Sequence, residues 1–405
     1  LQNPYCLLHN DTNRVKHNAM KLRLHICLLV PFAFIFIYLV YYSTWGTNET
    51  NQYKYYEKSI LEKSEKSISE KSEKSLSEKS EKSISEKSEK FDNYCYDDAV
   101  SDEELYIPLL EEITEDTVIF FIESKCHNGT EAVLSGREAC AVESAANMNP
   151  DATVYVLFPT PVLLAAAQAP HIRSLLARPN VKFRRIFLAD YTRDTPLESW
   201  YRRGTLRTSK FLPAHTSDVL RLLTLWKFGG IYLDLDTVTM KPLVDLVPFI
   251  AIANDHFLGS AAIGSHLTGI GHVVLSSALQ EIRDHFRGDQ WGFNGPALVT
   301  SILRSVCGLD KNDSIHIMNA ERCQGFNVYP AKYFHPLPYY EWERYFTHDP
   351  SQASDTLATL NDSYTVHIWN KMSSDTRVVV GSSQPYSQLA RVYCPEVYGN
   401  VGAEF

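Results

Sequence analysis

Asp234 and Asp236, separated only by Leu235, place two carboxylates two positions apart in the chain. On an extended segment such residues point to the same side, so the pair can converge on one hard cation. Held that close with neither cation nor proton they repel each other, which makes an unpaired structural role costly. Taken alone the triplet is a short motif, and a solvated loop explains it equally well. Upstream, Asp218 and Arg221 stand one helical turn apart, a spacing that an ordinary ion pair also produces.

The elements that must hold these groups are legible around them. Residues 214–243 read as helix, turn and strand: Thr216 or Ser217 can cap the helix, and Leu222, Leu225 and Trp226 face the core. Gly229 then ends the helix as a left-handed residue. Gly230-Ile231-Tyr232-Leu233 starts a short strand that delivers Asp234 and Asp236 at its exit. From about Thr117 onward, TVIFFIES reads as a strand, REACAVESAAN as a helix, and ATVYVLF and KFRRIFL as two further strands. This alternation predicts an α/β sheet with helices on its faces and a ligand crevice at the carboxyl ends of the strands.

Together, S-D-x-x-R at Ser217–Arg221 and L-x-x-x-G-G-x-Y-x-D-x-D at Leu225–Asp236 resemble the signature of glycosyltransferases with DXD-containing sugar-binding regions. Downstream, Asp289–Cys307, Tyr329–Phe346 and Tyr364–Lys371 occur in the order found in the animal alpha-1,4-glycosyltransferase family, of the galactosyl- and N-acetylglucosaminyltransferase type. The similarity runs from about Thr117 to Pro395. It implies a GT-A-like nucleotide-sugar-binding fold with a mixed central sheet, a UDP-sugar donor, Mn2+ and transfer with retention of anomeric configuration. Carried onto this chain, Asp234, Asp236, Asp218 and Arg221 form the catalytic group. Asp218, Arg221, Gly230, Tyr232 and Asp234 bind the donor, and Asp234, Asp236 and His367 hold the metal. Trp291, Asn294, Gly295 and Trp369 are candidates for the acceptor side, although aromatic residues at this frequency also serve as core and His367 also reads as a buried strand histidine. Where relatives carry Asn-Gly-Ala, this chain reads Leu258-Gly259-Ser260-Ala261, which leaves galactose, N-acetylgalactosamine and N-acetylglucosamine open as the donor sugar. The acceptor implied is a glycosphingolipid or other glycan, in alpha-1,4 linkage.

Two other readings remain. Asp234-Leu235-Asp236-Thr237-Val238 also satisfies the opening of haloacid-dehalogenase-type phosphatases, in which the first Asp is a nucleophile, though the Gly229-Gly230 turn lies close upstream. A catalytically inactive, glycan-binding Golgi protein would keep the same fold.

The formal charge of -9 excludes nucleic acid as a partner, because neutralising phosphates needs a clustered excess of Lys and Arg. Ile26–Tyr42 carries no charge, and with the start drawn back to Leu22 it reaches the roughly 20 residues of a membrane-spanning helix. Arg14, Lys16, Lys21 and Arg23 precede it, which places the N-terminus in the cytosol. A signal peptide starting at Met20 is the alternative. The organisation expected is a cytosolic tail (1–21), a signal anchor (22–42), a Glu/Lys/Ser repeat forming an extended stem (43–95) and a luminal catalytic domain (96–405), in a type II protein of the Golgi membrane. Its oligomeric state is open. Six cysteines follow the span, where an oxidising lumen permits disulfides. The local pairs Cys126/Cys140 and Cys307/Cys323 are the preferred connectivity. Asn48, Asn128, Asn312 and Asn361 lie in N-glycosylation sequons.

Overall fold

The computed structural model describes residues 106–125 and 133–405. The tail, anchor and stem expected at 1–95 lie outside the described residues, as do Cys95, Cys126, Asn48 and Asn128. Among the described residues no helix is long and apolar enough to cross a membrane.

Among the described residues nine strands form two sheets: β1 (Val118–Ile122), β2 (Thr153–Phe158), β3 (Val181–Arg185), β4 (Gly230–Leu233), β5 (Thr237–Thr239), β6 (Phe249–Ile252), β7 (Leu258–Ser265), β8 (Asn327–Tyr329) and β9 (Thr365–His367). The large sheet has the order β3-β2-β1-β4-β7-β6-β8. Its β3-β2-β1-β4 part is parallel, whereas β7 runs antiparallel to both β4 and β6, so the sheet is mixed as expected. β5 and β9 pair antiparallel as a separate ribbon. The longer helices are α1 (Gly136–Met148), α2 (Leu212–Phe228), α3 (Gly269–His285), α4 (Leu298–Val306), α5 (Pro350–Leu360) and α6 (Pro385–Tyr393).

Alternate strand residues feed two cores, one on each face of the sheet. Ile119, Phe121, Val154 and Val156 pack with α1, α6 and the C-terminal segment. Phe120, Ile122, Tyr155 and Tyr232 pack with α2, α3 and α4. Each such large apolar side chain contributes about 1.5–3 kcal/mol by burial, enough to fix the register of the central strands. α1 starts at a capping box: Glu138 N–H donates to Ser135 Oγ and Ser135 N–H donates to the Glu138 carboxylate.

α2 begins a turn earlier than the sequence suggested. Phe211 is its N-cap and Pro213 lies in its first turn, where the missing N–H and fixed φ suit a helix start. Thr216 and Ser217 therefore sit inside the helix. Gly229 does close it, with φ of 65° and ψ of -152°. Gly230, a donor-binding candidate, lies at the entrance of β4. A Cβ there would come within 2.5 Å of Val118 O, so its role is to let β4 lie against β1, at the strand end remote from Asp234.

Cys307 pairs with Cys323 as expected, but Cys140 pairs with Cys394 rather than Cys126. The reason is packing. α1 lies along the C-terminal helix Pro395–Gly399, and its buried Glu143 accepts the N–H groups of Glu396 and Val397 at 3.1 and 2.7 Å. Asn312 and Asn361, the two sequons within the described residues, are both exposed.

Candidate active site

β4 runs parallel to β1, and its exit lies at the edge where open α/β sheets bind ligands. Asp234 N–H donates to Ala261 O at 2.8 Å as the strand ends. The chain then turns: Thr237 N–H and its hydroxyl donate to Asp234 O at 3.1 and 2.8 Å. The two carboxylates thus converge through a tight turn between β4 and β5, not through the pleat of one strand.

Asp234 belongs to a group built on α2 and the central sheet. Tyr232 donates its hydroxyl to Asp234 Oδ1 at 2.7 Å, and Arg221 Nη1 lies 3.1 Å from the same oxygen. Arg221 Nη2 meets Asp218 Oδ1 at 3.2 Å, so one guanidinium joins both carboxylates. The remaining donors of Arg221 go to Ser260 O and Oγ and to Ser217 O and Oγ. Its plane lies over the Tyr232 ring at 4.7 Å. All three guanidinium nitrogens have protein partners and the residue is 6% exposed, so Arg221 acts by fixing Asp218 and Asp234. Tyr232, buried beneath it, likewise supports Asp234 from within. Burial would lower the Arg221 pKa, but the charges of Asp234 first, then Tyr232 and Asp218, drive it above the ordinary guanidinium value. Burial pushes Asp218 up to about 6, against the pull of Arg221 and with the repulsion of Asp234. Gly295 makes room for this carboxylate: a Cβ would sit 2.6 Å from Asp218 Oδ1.

Asp236 belongs to a second group, assembled by the β5–β9 ribbon. The register places Thr237 opposite His367. His367 Nε2 lies 2.9 Å from Asp236 Oδ1, and Asn370 N–H donates to Asp236 Oδ2 at 2.9 Å. Burial alone would raise the Asp236 carboxyl, but the His367 charge and these hydrogen bonds outweigh it and hold the carboxyl below its usual value. His367 shows the reciprocal effect: burial lowers it, yet Asp236 wins and raises it. Behind it stands His335, whose ring meets that of His367 edge-on at 5.8 Å. Burial first and the His367 charge second push His335 down to about 3. Gly259 admits that ring, because a Cβ there would lie 2.3 Å from His335 Cε1.

Asp234, Asp236 and His367 each bring a ligand atom within 4.8 Å of the others. Two carboxylates and one imidazole suit Mn2+ or a similar divalent cation, and His367 Nδ1 is buried without a hydrogen-bond partner. These residues fit the metal that the sequence implied.

The expected acceptor residues divide. The Asn294 amide is spent on the Arg287 main chain, accepting from its N–H at 3.0 Å and donating to its O at 2.9 Å, so Asn294 holds the loop. Gly295 faces Asp218, as described. Trp291 is half-buried, with Lys371 Nζ 3.4 Å from its ring centre, which brings the 291 loop against the 367–371 segment. Trp369 packs its indole on His367, with ring centres 4.0 Å apart. Leu258 is buried in the core.

A separate charged group occupies the exit of β1. Glu123, 2% exposed, and Glu138 both pair with Lys125. Burial first and the Glu138 charge second push Glu123 up to about 7, against the pull of Lys125.

Residues 135–255 match the glycosyltransferase sugar-binding region containing the DXD motif, and residues 267–401 match the alpha 1,4-glycosyltransferase conserved region. Lactosylceramide 4-alpha-galactosyltransferase of Rattus norvegicus is 32% identical over 69% of this chain and 74% of its own length. The chain belongs to the alpha-1,4-glycosyltransferase family. Alpha-1,4-N-acetylglucosaminyltransferase of Homo sapiens, another relative, is 29% identical over 68% of this chain and 84% of its own. Among solved structures, the PaToxG glycosyltransferase is a distant likeness, with 14% identity, coverage of 80% of this chain and 95% of that one, and a TM-score of 0.34. Nothing favours the phosphatase alternative: Asp234 Oδ1 is bonded by Tyr232 and Arg221, which suits a fixed carboxylate better than a nucleophile.

Sequence reasoning about this alpha-1,4-glycosyltransferase missed Ser217, Ser260, His335 and Asn370. Asn370 acts through its backbone N–H and leaves no mark in the sequence. Gly259 was the visible trace of His335, since a glycine inside a buried strand often marks a close approach.

Proposed function

We propose that this chain transfers galactose, N-acetylgalactosamine or N-acetylglucosamine from a UDP-sugar, in alpha-1,4 linkage and with retention, to a glycosphingolipid or other glycan. The observation that carries the reading is the convergence of Asp234, Asp236 and His367 at the exit of β4, beside an Arg221 that joins Asp218 to Asp234. In it, Asp234, Asp236 and His367 hold a divalent cation, with Mn2+ as the ion expected. Such a cation, when bound, neutralises the charge that develops on the departing UDP. The protein groups keep the site ready for it. Arg221 and Tyr232 fix the Asp234 carboxylate, and His367 and the Asn370 N–H fix that of Asp236. Asp218, paired with Arg221 and given room by Gly295, is our candidate for holding the donor sugar. Trp291 is the candidate for a flat face against an acceptor ring. The anchor at 22–42 and the charged stem place the catalytic body in the Golgi lumen in this reading. The disulfides Cys140–Cys394 and Cys307–Cys323 suit that compartment.

A donor screen tests the proposal. The purified chain would be assayed with Mn2+ and UDP-galactose, UDP-N-acetylgalactosamine or UDP-N-acetylglucosamine against lactosylceramide, simpler β-galactosides and N-acetyl-β-hexosaminides. Metal-dependent transfer with one donor supports the reading. Absence of transfer from every donor, with UDP-sugar still bound, would instead support the inactive glycan-binding alternative.

A further inference from the structure

Trp369 holds φ of 57° and ψ of 51°, the left-handed conformation. Among the described residues the other non-glycine positions with positive φ are Asp194 and Gln324, both polar and exposed. A bulky aromatic residue there is a real outlier, because its Cβ crowds the following carbonyl. Such strain persists only where the surroundings over-determine it, and it collects at functional sites.

The position of the outlier is informative. It lies between His367 and Asn370, the two residues that grip opposite oxygens of Asp236, each at 2.9 Å. Ile368 N–H also donates to Asp236 O at 2.8 Å. A chain leaving β9 without the left-handed step would continue past Asp236, and the Asn370 N–H would not return to it. The indole supplies what holds the step in place. It packs on His367, lies 6.0 Å from His335 and 6.4 Å from Tyr339, and donates from Nε1 to Leu337 O at 3.0 Å. On the other side, Trp369 O accepts the N–H groups of Met372 and Ser373 at 2.9 and 3.0 Å.

We infer that Trp369 is a positioning residue: its anchored indole keeps the 367–370 segment in a strained left-handed turn that clamps Asp236 for the divalent cation. The inference rests on the reading of Asp236 as a metal-holding carboxylate. In this account the segment has a clamped and a relaxed arrangement, and only the clamped one is competent for the cation. Apparent affinity then falls with the clamped fraction. A purely structural tryptophan makes a different prediction. Removing the ring would then weaken packing in both variants; glycine would still unfold at the higher temperature, because a left-handed position favours it over a residue with a Cβ, but the two would bind Mn2+ equally.

The test compares Trp369→Gly, Trp369→Ala and Trp369→Phe in the intact chain. Mn2+ affinity is read from the free-ion electron paramagnetic resonance signal at saturating UDP, with thermal unfolding recorded alongside. The expected order of affinity is unaltered chain, Phe, Gly, then Ala. Glycine should bind Mn2+ about fivefold more tightly than alanine, the size of the left-handed penalty on a residue with a Cβ. The transfer assay should show the loss in the Mn2+ requirement more than in the rate at saturating Mn2+. If the alanine variant does not fold, Trp369→Ser takes its place. Equal affinity in glycine and alanine (or serine), or tighter binding by alanine, overturns the inference, as does unchanged Mn2+ affinity in all variants with lowered thermal stability. Asp236→Asn separates the two claims. If it leaves Mn2+ binding intact, or if the unaltered chain binds none, the metal reading itself fails; if it abolishes binding while glycine equals alanine, only the role of Trp369 fails.

Discussion

The Asp218–Arg221–Asp234 group and the Asp236–His367–Asn370 group lie side by side but are built in opposite ways. The first sits on a long helix and a central strand, and its charges are joined by one buried guanidinium before any ligand arrives. The second is gathered from segments 131 positions apart, on a three-residue ribbon strand and a left-handed turn. We propose a division of labour: the first group fixes Asp234 as part of the fold's stability, and the second is the adjustable part of the proposed cation site.

The strongest way to break that contrast is Arg221→Ala. It strands two carboxylates beside each other, and losing one partner of a buried ionic group costs about 3–5 kcal/mol. Denaturant unfolding should show this loss in the absence of any ligand. An unchanged midpoint would mean that the first group is not structural. Asp236→Asn should act the other way, with stability nearly kept and transfer reduced about 10²- to 10³-fold, read from initial rates at saturating Mn2+. A comparable fall in unfolding stability would erase the distinction.

Gly259→Ala sharpens the boundary between the groups, because Gly259 lies on β7 while the ring it admits, His335, backs His367. Overpacking there should cost about 1–3 kcal/mol. It should also raise the Mn2+ requirement, since the displaced ring pushes on the second group. The smallest effect expected is at Glu123, outside both groups. Its unfolded value is near 4.5 and its folded value about 7, so the folded chain keeps a proton that the unfolded chain releases. That contribution to stability is full below about pH 4.5 and is lost as pH rises through about 7. Glu123→Gln should flatten this fall, raising the melting temperature near pH 8 relative to pH 5 by about 2 °C or more. Parallel melting profiles for the two chains would refute it.

The same contrast explains what the sequence disclosed. Asp218, Arg221, Asp234 and the strand between them lie within twenty residues, so helical and extended spacing locates them in the sequence. His367 was reached only through resemblance, because nothing local states that β9 will pair with β5. Asn370 contributes a main-chain donor, and Trp369 a backbone angle; neither has a side-chain signature. Gly230 shows that adjacency in a motif does not say which residue a glycine makes room for: a Cβ there would meet Val118 O. The first three strands followed from apolar runs, and the mixed sheet from the family resemblance. The partner of Cys140 did not, since preferring a short loop overlooks how closely the last helix packs on α1.

That last bond has a topological meaning. Cys140 and Cys394 stand 254 positions apart, and their bond closes a covalent ring that contains every residue of both groups. A protease cutting one exposed loop within that ring would leave a single molecule, and its two pieces would part only after reduction. The catalytic body can therefore be nicked without being severed.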